Sequence, residues 1–142
     1  MQVRDIMNPH VVTIDPTESA ALAARLLARH NIGALPVCSG DGRLHGVITD
    51  RDIVLRCVAP EEDPLSVPVR NIMTRRPSWV SPEDDVRQAA HLMSAGQIRR
   101  LPVVDQGKVV GVVSLGDLAK CGRYEMEISK ALSDISEPIR RL

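Results

Sequence analysis

Thr49-x-x-Asp52 and Ser114-x-x-Asp117 each place a hydroxyl three residues ahead of a carboxylate, directly after the apolar runs Gly46-Val47-Ile48 and Gly111-Val112-Val113. The apolar run reads as a buried strand, so the hydroxyl falls where the strand hands over to a helix. Backbone N–H groups at a helix start are unpaired, and a hydroxyl beside them can join in holding an anion such as phosphate. The carboxylate can accept hydrogen bonds from both hydroxyls of a ribose, each contributing about 1.5–3 kcal/mol where water is excluded. The same spacing is also close to a capping box, which serves only the helix. Carboxylate direction separates the two uses: toward a cleft in a ligand site, back to the N–H of Thr49 or Ser114 in a pure cap.

These elements occur twice because the chain repeats itself. Val3-Arg4-Asp5-Ile6-Met7 returns as Val69-Arg70-Asn71-Ile72-Met73, and Ile32-Gly33-Ala34-Leu35-Pro36-Val37 returns as Ile98-Arg99-Arg100-Leu101-Pro102-Val103. Each copy reads as β-α-β-β-α. In the first, Val11 to Ile14 is a short strand, Asp15 to Ser19 carries helix-start chemistry, and Ala20, Ala23, Ala24 and Leu27 recur at helical spacing. Leu35 to Cys38 and Leu44 to Thr49 follow as a hairpin around Ser39-Gly40-Asp41-Gly42, then a helix from Asp50 to Val58. The corresponding last helix of the second copy spans Leu115 to Cys121. The expected organisation is an α/β (α+β) fold: unit 3–58, a Pro-rich acidic linker 59–68, unit 69–121, and a tail 122–142 with a weakly amphipathic helix. A unit of about 60 residues is marginal alone, so the two are expected to pack by pseudo-twofold symmetry and to form a cleft between them.

Composition narrows the class. Lys plus Arg and Asp plus Glu both number 18, with 44% hydrophobic and 25% charged residues. A zero formal charge gives no global field toward nucleic acid or an anionic membrane, so neither partner is expected. No apolar run approaches a membrane span or a signal-peptide core, which makes the cytoplasm the expected address. Cys38, Cys57 and Cys121 are odd in number and scattered, as are the four histidines, so reduced thiols and no metal site are expected.

With Asp-Ile-Met or Asn-Ile-Met at the start, Leu-Pro-Val in the middle and Gly-hydrophobic-hydrophobic-Thr/Ser-x-x-Asp at the end of both copies, the chain resembles a tandem cystathionine β-synthase (CBS) domain pair, or Bateman module. The likeness spans roughly residues 3 to 121 and is greatest to small stand-alone bacterial CBS-pair proteins. The resemblance implies a non-catalytic sensor of adenosine-containing ligands (AMP, ADP, ATP, NAD or S-adenosylmethionine), usually a homodimer, with no obligatory cofactor and a protein target that the sequence does not name. From the family's cross-unit geometry, one site would combine Ser114 and Asp117 with Val12, Ile32, Gly33 and Ala34, and the other Thr49 and Asp52 with Ser78, Ile98, Arg99 and Arg100. Two guanidiniums suit phosphate, so the Thr49/Asp52 site is expected to be the better phosphate binder. The alternatives are a ligand-free dimerisation scaffold and a redox or metal sensor using cysteine and histidine.

Overall fold

The computed structural model describes residues 1–138, so the end of the 122–142 tail, with the basic pair Arg140-Arg141, lies outside the described residues. The described chain mixes helix and sheet. Strands β1 (Ala34–Cys38), β2 (Leu44–Thr49) and β3 (Thr74–Arg75) form an antiparallel sheet, and β4 (Arg100–Asp105) pairs with β5 (Lys108–Ser114). The helices are α1 (Ala20–His30), α2 (Asp50–Ile53), α3 (Val86–Gly96), α4 (Leu115–Lys120) and α5 (Glu125–Ser136). α2 continues as a π-helical segment over Val54–Val58, so the helix expected from Asp50 to Val58 changes its winding midway. α5 is the helix expected in the tail.

Two compact units emerge, and they are not the two sequence copies. One comprises Val12–Pro77 with Gly107–Val109; the other comprises Met1–Val11, Ser78–Gln106 and Val110–Leu142. The segment leading each copy thus belongs to the compact unit built from the other. In the first unit, Val69, Ile72 and Met73 are buried among Ala20, Ala23, Leu27, Leu35, Val37 and Ile48. In the second, Val3 is buried among Val80, Val86, Ala89, Met93, Leu101 and Val113, with Ile6 and Met7 packed against them. Helix starts repeat the exchange: Ala20 N–H donates to Val67 O and Val86 N–H to Met1 O. Of the small residues expected to face the core from α1, Ala20 and Ala23 are buried but Ala24 is exposed.

Close approach explains the glycine of the repeated apolar run. A Cβ on Gly46 would lie 2.6 Å from Thr74 O and 2.8 Å from Met73 Sδ; one on Gly111 would lie 2.8 Å from Met7 Sδ and 3.1 Å from Asn8 O. The Ile-Met motif and the glycine motif are therefore repeated together because they pack on each other.

The strand expected at Val11 to Ile14 is reduced to one parallel bridge, Ile14 with Val37, and Val80 with Val103 is its counterpart. Proline is the cause. Ile14 N–H donates to Pro36 O and Cys38 N–H to Ile14 O; the next rung would need an N–H at Pro36 to reach Val12 O, and proline has none. Pro102 stops the second ladder in the same way, ahead of Ser78. The Leu-Pro-Val motif thus excludes Val12 O and Ser78 O from their ladders.

Candidate functional site

Both capping boxes are closed. Thr49 Oγ1 accepts from the Asp52 N–H at 3.0 Å while the Thr49 N–H donates to Asp52 Oδ2 at 3.0 Å. Ser114 Oγ accepts from the Asp117 N–H at 3.1 Å and the Ser114 N–H donates to Asp117 Oδ2 at 2.9 Å. Both carboxylates therefore turn back to their own helix start, as a cap requires. A cap does not exhaust these groups. Each hydroxyl acts in it only as an acceptor and keeps its proton for a further bond, and a carboxylate has about four acceptor positions.

The two copies differ in what remains. Asp52 is buried, and Thr74 Oγ1 donates to its Oδ1 and Oδ2 at 3.2 Å each. Asp117 is half-buried, and among the described residues its side chain makes only the cap. Sequence reasoning missed Thr74. The signal was available as the polar residue immediately after the repeated Ile-Met, where the first copy has Asn8.

The expected site residues fall into two sets. Val12, Ile32, Gly33, Ala34, Thr49 and Asp52 lie in the Val12–Pro77 unit, where Ala34 pairs with Thr49 across β1 and β2 and the Asp50 N–H donates to Gly33 O at 3.2 Å. Ser78, Ile98, Arg99, Arg100, Ser114 and Asp117 lie in the other unit, where the Leu115 N–H donates to Arg99 O at 2.8 Å. Within each unit the segment before Leu-Pro is thereby tied to the helix start after the glycine motif. The combinations expected from the sequence draw on both units, whereas these hydrogen bonds are all internal to one.

In the second unit an open cleft of about 350 Å³ is lined by Arg99, Arg100, Ser114, Leu115, Gly116, Ala119, Ile128 and Leu132. A small-molecule site commonly has about 300–1,000 Å³. Arg99 and Arg100 are exposed and form none of the ion pairs found among the described residues. The wall supplied by Ile128 and Leu132 of α5 was not expected from the sequence, although their i, i+4 spacing places both on one helix face.

The remaining polar groups offer less. Burial raises the Cys38 thiol to about 11, and burial, aided by the charges of Glu62 and Asp63, also raises Cys57. No three His, Cys, Asp or Glu side chains gather in a metal-holding group among the described residues. No described helix is long and apolar enough to cross a membrane. Trp79 is 49% exposed.

The CBS domain model matches residues 3–59 and 69–123. The CBS domain-containing protein YhcV of Bacillus subtilis is 41% identical over 134 residues, covering 94% of each chain. A crystal structure of hypoxic response protein I with two coordinated zinc ions superposes with a TM-score of 0.79 at 35% identity, covering 84% of this chain and 98% of that one. The CBS domain pair of MJ0100, solved in complex with 5′-methylthioadenosine and S-adenosyl-L-methionine, gives 0.76 at 32% identity, covering 86% and 95%. With two matches in tandem and like-sized relatives, the chain belongs to the CBS domain family as a CBS pair.

Proposed function

We propose that this chain is a non-catalytic regulatory module that binds an adenosine-containing ligand of the AMP, ADP, ATP, NAD or S-adenosylmethionine class, and that Arg99, Arg100 and Ser114 hold its anionic end. The observation that carries the reading is a cleft lined by Arg99 and Arg100, which form no ion pair among the described residues, and by Ser114, whose capping hydroxyl acts in its cap only as an acceptor. Arg99 and Arg100 thus act with Ser114 of their own unit, a different grouping from the Thr49/Asp52 partnership expected from the sequence. Asp117 is the ribose acceptor in this reading, since Asp52 is further engaged by Thr74. Ser78, in the same unit, contributes a carbonyl that Pro102 keeps out of its ladder, suited to an exocyclic amine. MJ0100, a structural neighbour, binds two adenosine-containing compounds, which supports the ligand class.

The protein acts in the cytoplasm as a homodimer, with the exposed Val54, Leu55 and Val58 along the π-helical segment as the apolar face for a second copy. A thermal-shift screen of AMP, ADP, ATP, NAD and S-adenosylmethionine, followed by calorimetry, tests the ligand reading. At least one ligand is expected to raise the melting temperature by mass action, and Arg99→Ala/Arg100→Ala to weaken a phosphate-bearing ligand tenfold or more. No shift with any of the five leaves the dimerisation scaffold; zinc in metal analysis of the purified protein favours the metal sensor.

A further inference from the structure

We infer that helix α5 is a ligand-responsive flap: Ile128 and Leu132 form the apolar wall of the Arg99/Arg100 cavity, so that ligand occupancy and docking of α5 stabilise each other. This rests on the proposed ligand site and extends it by naming how occupancy is signalled. The cleft is lined by unlike residues, Arg99, Arg100 and Ser114 together with Leu115, Ile128 and Leu132. A nucleotide matches it, phosphate toward the arginines and the flat base toward the aliphatic wall.

The docking of α5 is of the kind that such a ligand can shift. Among the described residues only Ala131 of this helix is fully buried, while Ile128 and Ile135 are half-buried and Leu132 is 43% exposed. Ile128 and Ile135 pack beside Ala131 against the core without being fully buried, and a polar clasp to α3 adds to the docking. The Ser94 hydroxyl donates to Asp134 Oδ2, which also accepts from Lys130 Nζ at 3.0 Å. Gln97 Nε2, at the end of α3, donates to Asp134 O at 2.9 Å, Glu137 O at 3.2 Å and Pro138 O at 3.3 Å. Elements with few buried apolar groups open at lower free energy than the core. A ligand that touches α5 only when it is docked must favour docking, and by linkage docking must strengthen the ligand's binding by the same factor.

The test uses the full chain with AMP as the probe, and reads hydrogen exchange of the 125–136 amides together with calorimetric affinity. Wild type, Asp134→Ala and Asp134→Asn are compared; the asparagine keeps an acceptor for Ser94, and a variant outside the cavity alters affinity only through docking. The expected result is slower exchange across α5 on adding AMP, about fivefold or more weaker binding in Asp134→Ala, and near-wild-type binding in Asp134→Asn. If AMP binds and Arg99→Ala/Arg100→Ala abolishes it, while α5 exchange and the affinity of Asp134→Ala are unchanged, the flap is overturned and the ligand site stands. If neither AMP nor any of ADP, ATP, NAD and S-adenosylmethionine binds, both are overturned.

Discussion

At Asp52 the hydroxyl of Thr74 adds a bond to the cap, whereas the equivalent residue of the first copy, Asn8, accepts from the His10 N–H at 3.0 Å through its Oδ1. One residue difference thus leaves two aligned carboxylates unequally engaged, Asp52 in its cap and with Thr74, and Asp117, among the described residues, in its cap alone; in the proposed reading only the second is left for a ligand. Asp52→Ala removes both the cap and the Thr74 contact and is expected to lower stability by about 1–2 kcal/mol, in line with lost caps, as a lower urea midpoint. Asp117→Asn retains an acceptor for the Ser114 N–H but loses the charge that a sugar's hydroxyls would meet. It is expected to bind nucleotide about tenfold more weakly, the scale of a lost charge-assisted bond, with its urea midpoint near that of wild type. Equal ligand losses in the two variants would contradict this division.

Among the elements, the hairpins, the helices and the tail helix were legible because apolar spacing and turn residues are local signals, as in Ser39-Gly40-Asp41-Gly42 between β1 and β2. The strand at Val11 to Ile14 was misjudged for a non-local reason: its β-branched residues suit a strand, but Pro36, on the partner, withholds the donor its ladder needs. Residue types likewise exposed the Thr/Ser-x-x-Asp elements but not which way the carboxylates turn, nor that α5 closes a cavity wall. Gly46 shows how a sequence signal acquires its meaning only in the packed element. Gly46→Ala drives a Cβ into the Thr74 carbonyl, a backbone atom that cannot rotate aside, and is expected to cost about 1–3 kcal/mol as overpacking does, read from the denaturation midpoint. A wild-type midpoint would mean that the Met73-Thr74 segment does not lie across β2.

For the whole molecule, the traded leading segments matter most. Met1–Val11 completes the unit holding Ser78–Gln106, and 69–77 completes the unit begun at Val12. A protease site inserted between Glu61 and Glu62 and then cut is expected to leave two pieces that co-elute on size exclusion and separate only in denaturant, because each retains what the other lacks. Pieces that part in native buffer would show the trade to be dispensable. Bound by one backbone, the partners meet at an effective concentration set by a short tether, so this interlock persists at any dilution. A lone copy, by contrast, could finish itself only by borrowing from a neighbouring molecule, and would come apart as that neighbour became scarce.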